Sequence, residues 1–141
     1  MEEVELKSGT INNMKNIFVK WEPLDNIPDV LNCEGIHDDY EGFRILLKDG
    51  SGSGAVLRIK FDFLRSYRKS DEGDLLKTIS NNSYIGKSTL FLVENSSYVN
   101  WFHEETIGIH QNRLIKHYAI YTPNDCIDVL SDVEPIVEWL N

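Results

Sequence analysis

Two stretches of the chain alternate apolar and polar residues on either side of a turn, and that pattern constrains the fold more than any other feature. Phe43 to Leu47 (FRILL) runs into the tract Asp49 to Gly54 (DGSGSG), and Val56 to Asp62 (VLRIKFD) then resumes a period of two. Strand, glycine-rich break, strand is an antiparallel hairpin, because successive side chains of a strand point to opposite faces. The C-terminal region repeats the plan, with Leu114 to Tyr121, a turn at Thr122-Pro123-Asn124-Asp125, and Cys126 to Leu130. Pro123 presets the backbone angle of a tight turn, and Asn124 and Asp125 tolerate its geometry. In that hairpin Tyr118, Ile120, Ile127 and Val129 share one face, with Asp125 and Asp128 at or near the turn and Glu134 and Glu138 on a returning strand.

Further strands are expected at Ile17 to Trp21 (IFVKW), Leu90 to Val93 (LFLV) and Ile136 to Leu140, with one helical turn around Ile27 to Leu31 after Pro23. Ser70, followed by Asp71, Glu72 and Asp74 and then by Leu75, Leu76 and Ile79, reads as a helix start with acids at the positive end of the dipole. Asn95, Ser96 or Ser97 can cap a second helix whose Tyr98, Val99, Trp101 and Phe102 form an apolar stripe. These elements predict an α+β fold, a single mostly antiparallel sheet of five to seven strands with two or three helices packed on one face. Residues 1–13 read as an N-terminal arm and residues 14–141 as a single α+β domain; 141 residues is the size of one domain.

Charge is divided unevenly. Residues 1–70 carry 12 acids against 10 bases and residues 71–141 carry 11 against 4, giving the net charge of −9. From His117 to the end there are five acids (Asp125, Asp128, Asp132, Glu134, Glu138) and neither lysine nor arginine. Such a field repels nucleic acid and anionic membranes and favours a basic partner. No run approaches the roughly 18 apolar residues of a membrane span. The start, MEEVELKSGTINN, lacks a signal peptide's basic and apolar regions, so the expectation is a cytoplasmic protein.

Catalytic motifs are incomplete. Ile85-Gly86-Lys87-Ser88-Thr89 resembles the tail of a phosphate loop, but Asn81 stands where its first glycine belongs, so it reads as a turn. His103-Glu104-Glu105 lacks the second histidine of a zinc-protease helix, since Ile107 stands there. His103, His110 and His117 recur every seven residues without one continuous helix to align them. Cys33 and Cys126 have no metal-type spacing and are expected to be reduced, buried thiols. The basic residues Arg58, Lys60, Arg65, Arg68 and Lys69 are expected to pair internally with the acidic half. No cofactor or metal is expected.

Five segments together carry a family resemblance: DDYEGFRILLKD (Asp38 to Asp49), LRIKFD (Leu57 to Asp62), SYRKSDEGDLLKT (Ser66 to Thr78), LFLVENSSYVNWFHEE (Leu90 to Glu105) and HYAIYTPNDCIDVLSDVEPIVEWL (His117 to Leu140). They cover nearly everything after Met14 and resemble small bacterial immunity proteins of polymorphic toxin systems, including wall-associated YD-repeat toxins. The resemblance implies a non-catalytic cytoplasmic domain that binds the C-terminal domain of a cognate toxin, typically a basic nuclease, and blocks its active site. Acids beside aromatic anchors are then the candidate contacts. They fall in three groups: Asp38, Asp39, Tyr40 and Glu41; Trp101, His103, Glu104 and Glu105; and Asp125, Asp128 and Glu138. The alternatives are an adaptor domain whose copies pair through an edge strand and, ranked below it, a small hydrolase with Cys126 and His117 in one cleft. Self-association is left open by the sequence.

Overall fold

The computed structural model describes residues 15–52 and 54–140; the expected arm, residues 1–13, lies outside them. In chain order the elements are β1 (Ile17–Lys20), β2 (Leu31–Asp39), β3 (Gly42–Asp49), β4 (Val56–Phe61), β5 (Ser66–Asp71), α1 (Leu76–Ser80), β6 (Leu90–Glu94), α2 (Ser97–Glu105), β7 (Lys116–Tyr121), β8 (Asp125–Ser131) and β9 (Ile136–Leu140). The strands form two antiparallel sheets, one ordered β9-β4-β3-β2 and the other β1-β6-β7-β8-β5.

The two expected hairpins form, and their alternation builds the core. Phe43, Ile45 and Leu47 of β3 and Leu57, Ile59 and Phe61 of β4 turn inward. They meet Leu90, Tyr118, Ile120, Ile127 and Val129 from the other sheet. In the C-terminal hairpin Ile120 pairs with Ile127 and Tyr118 with Val129, so these four share the predicted face. Each large side chain buried here stabilises the sandwich by about 2 kcal/mol.

The expectation of a single sheet with helices on one face is overturned: among the described residues nine strands make two sheets of five and four, with 46% of residues in strands and 14% in helices. Two strands carry no apolar alternation. β2 (LNCEGIHDD) buries only Leu31 fully and is bulged between Cys33 and Gly35; the helical turn expected around Ile27 to Leu31 does not form, Ile27 to Val30 being irregular and Leu31 opening the strand. β5 (SYRKSD) buries no residue fully and occupies the start of the expected helix, so Glu72–Asp74 form only a 3-10 turn and α-helix begins at Leu76. Both are edge strands, held by ladder hydrogen bonds rather than by an apolar face. Glu138 is likewise displaced, since β9 pairs with β4 and not with β8.

β8 is buried along nearly its whole length, on both faces. One face meets the second sheet. On the other, Tyr98 and Phe102 of α2 pack against Ile115 and Leu130, while Leu75 and Ile85 cover Phe91, Ala119, Tyr121 and Cys126.

Candidate functional site

Beneath α2 lies a buried polar network. Ser96 is the helix N-cap, and its Oγ accepts the Val99 N–H at 3.1 Å. The same oxygen shares a 2.7 Å hydrogen bond with Nδ1 of His117. Asp128 Oδ1 is 2.6 Å from His117 Nε2; the carboxylate only accepts, so Nε2 donates. Asp128 also accepts from the Tyr121 hydroxyl at 2.9 Å and from Arg68 Nε at 3.2 Å. Burial pushes the Asp128 carboxyl up. The hydrogen bond and charge of His117, joined by Arg68 and Tyr121, outweigh that and hold it below the usual carboxylate range.

Serine, histidine and aspartate in contact invite an acyl-transfer reading. However, Ser96 is buried and already caps α2, and the helix covers the side from which a substrate would have to approach. The cluster acts as a brace that fixes α2 to β7 and β8. Burial, with Asp128 nearby, pushes the Cys126 thiol up to about 12, the wrong direction for a nucleophile.

The predicted acids divide sharply by partner. Asp125 pairs with Lys69 at 3.0 Å and Glu138 pairs with Arg58 on the outer face of the four-stranded sheet. Asp128, expected near the turn, sits wholly buried in mid-strand. With Arg65 bonded to Asp132 and Arg68 to Asp128, the predicted basic cluster, Lys60 included, is neutralised internally.

The first two groups reach β5 from its two faces through one residue each, Asp38 bonded to Tyr67 and Trp101 beside the Ser66-bonded Tyr98. At the β2–β3 tip, Arg44 bridges Asp39 at 2.6 Å and Glu41 at 3.0 Å, and Asp39 accepts the Glu41 N–H at 2.9 Å. Gly42, at φ 108°, closes the turn where a Cβ would come 3.3 Å from the Phe61 carbonyl oxygen. This rigid tip presents Tyr40 with 96% of its surface exposed. Asp38 accepts from the Tyr67 hydroxyl of β5 at 3.0 Å. On the other side of the strand, Ser66 bonds the Tyr98 hydroxyl at 2.6 Å, and Tyr98 lies 5.7 Å from the ring of Trp101, itself half exposed.

Glu104 and Glu105 end α2, where the helix dipole disfavours negative charge, and neither has an ion-pair partner among the described residues. His103 and Glu104 line an open surface depression of about 360 Å³ with Asn100 and Gln111. Beyond the helix, Ile107 adopts φ 53°, a strained angle for a β-branched residue, and is 88% exposed. Ile109 and Leu114 are exposed as well. These three and Tyr67 were missed in the sequence; an isoleucine on each side of Gly108 is the only trace they leave.

No family model matches the chain, and neither the curated proteins nor the solved structures yield a match. Among the described residues no helix is long and apolar enough to cross a membrane, and no cluster of three metal-ligating side chains occurs.

Proposed function

We propose that the chain is an immunity protein, a non-catalytic cytoplasmic inhibitor that binds a cognate toxin C-terminal domain and covers its active site. One observation carries the reading. The tip at Asp38 and the helix face at Trp101, far apart in sequence, flank the two faces of β5, with Tyr40 and Trp101 exposed as aromatic anchors. Exposed aromatics rimmed by charge are the usual composition of a binding hot spot, and a pre-ordered tip lowers the entropy lost on docking. Glu104 and Glu105 keep their charge free for a basic partner, which the net charge of −9 steers towards the surface. A basic nuclease suits that partner, because carboxylates can take the place of the phosphates it binds.

The test is co-expression with the domain encoded immediately upstream. The expected result is rescue of growth and a one-to-one complex that weakens as salt rises. Tyr40→Ala combined with Trp101→Ala should weaken the complex by about thirtyfold or more. Failure to form a complex, together with failure to rescue growth, sinks the proposal.

A further inference from the structure

The geometry points to strand addition at the free edge of β5 as the way a partner is held: an extended basic segment of the partner pairs with Tyr67, Lys69 and Asp71. The partner's basic character rests on the immunity reading; the open edge does not.

Among the described residues β5 has one strand neighbour, β8, with Ser66 opposite Leu130, Arg68 opposite Asp128 and Ser70 opposite Cys126. The hydrogen bonds of an antiparallel ladder alternate along each strand. Glu72 N–H bonds the Asn124 carbonyl at 3.2 Å, continuing the same ladder, so the even-numbered residues turn their backbone groups towards β8. The other side of β8 agrees. There Thr122 N–H bonds the Asp125 carbonyl at 2.8 Å, which assigns the odd-numbered residues of β8 to β7. Tyr67, Lys69 and Asp71 therefore direct their N–H and C=O groups away from the sheet.

An open edge of this kind is normally guarded by proline, a bulge or an outward lysine. β5 contains no proline. Its lysine is drawn aside, because Lys69 Nζ is bonded to Asp125 at 3.0 Å, and that hydrogen bond and charge raise its pKa. The side chains of an added strand would alternate between two walls. One is the tip, where Asp38 accepts from Tyr67; Asp39 and Glu41, held by Arg44, lie on the outer face of the four-stranded sheet. The other is α2, reached through Ser66, Tyr98 and Trp101. The Asp38 carboxylate, which no cation engages among the described residues, favours lysine or arginine on the side chains facing it. Backbone pairing supplies the affinity and the walls supply the selectivity, as in other edge-strand recognition.

The probe is a capped nonapeptide of alternating lysine and valine, titrated into the whole protein and followed by amide NMR and hydrogen exchange. The amides of Tyr67, Lys69 and Asp71 should slow on binding, while those of Ser66, Arg68 and Ser70 stay unchanged. A glutamate–valine peptide should not bind. Asp71 already has φ −68°, the angle proline imposes, so Asp71→Pro removes one outward donor without disturbing the fold. It should bind the peptide about tenfold more weakly than Asp71→Ala, the effect of one lost hydrogen bond. Lys69→Pro against Lys69→Ala repeats the comparison at the strand centre. The proposal is overturned if the lysine–valine peptide fails to bind, if both proline variants bind like their alanine controls, or if the edge is occupied by a second copy, seen as a dimer that Lys69→Pro dissociates. The peptide result is independent of the toxin. An upstream domain that fails to bind leaves strand addition standing, whereas a toxin complex with no peptide binding leaves the immunity reading and removes this one.

Discussion

Asp128 and Glu104 carry the same charge, yet the fold uses them in opposite ways. Asp128 lies in the acid-rich C-terminal region, where sequence alone places the partner surface, and it is wholly buried against His117, Tyr121 and Arg68. Asp125 and Glu138 are engaged too, by Lys69 and Arg58. Glu104 ends α2 with no cation beside it among the described residues. Acid density along the chain is therefore a poor guide to available charge. The C-terminal acids secure the sandwich and its helix, and the smaller set at α2 and the β2–β3 tip faces outward.

The comparison breaks first at Asp128. Asp128→Asn removes the carboxylate that accepts from buried His117 and Tyr121 and from half-exposed Arg68, and should destabilise the fold by about 3 kcal/mol in urea unfolding. A loss below about 0.5 kcal/mol, typical of surface substitutions, would mean that the network is no brace. The same carboxyl sets an acid limb. Its folded pKa lies below its unfolded value, so the unfolded chain binds more protons at that site. Its contribution is complete above about pH 4 and declines as pH falls through the lower folded value. Asp128→Asn should flatten that limb in a series of unfolding curves at different pH. Next in size is Ser96→Ala, which removes a cap oxygen and a bond to His117. About 1 kcal/mol is expected, with faster amide exchange at Val99 as the local readout.

Much of this molecule was legible in the sequence, for identifiable reasons. Strong alternation located β3, β4, β7 and β8, and the Ser96 cap with Tyr98 and Phe102 located α2. The strands β2 and β5 were not legible, because pairing rather than apolar periodicity makes them strands. With them went the second sheet, although its trace was present: nearly every residue of CIDVLS in β8 is apolar or small, which a strand requires only when both faces are covered. Tyr40 and Glu104 could be nominated from local chemistry. The packing of the tip and of α2 on β5, through Asp38–Tyr67 and Tyr98–Ser66, could not, since Ser66 to Lys69 show no apolar alternation and Ser70 and Asp71 read as a helix start. The burial of Asp128 was equally hidden, because its partners His117, Tyr121 and Arg68 are assembled only by strand register.

The smallest effect on stability sharpens the comparison most. Glu104→Gln combined with Glu105→Gln removes two charges from the negative end of the α2 dipole, where no ion pair engages them among the described residues. Stability should hold or rise by a few tenths of a kcal/mol, since a carboxylate at that position opposes the helix. Affinity for the upstream domain should fall in the same protein, and the salt dependence of binding should flatten, because rim charges act mainly on encounter. Stability and binding then move in opposite directions, as expected where a sequence keeps a locally unfavourable residue for its use at a surface. Arg44→Ala provides the counterpart at the tip: two exposed pairs worth under about 1 kcal/mol are lost, while exchange at the Glu41 amide quickens and binding weakens through lost pre-order. If the glutamine pair instead lowers stability and leaves binding intact, Glu104 belongs with Asp128 among the acids that secure the fold, and the proposed surface loses its charge at α2.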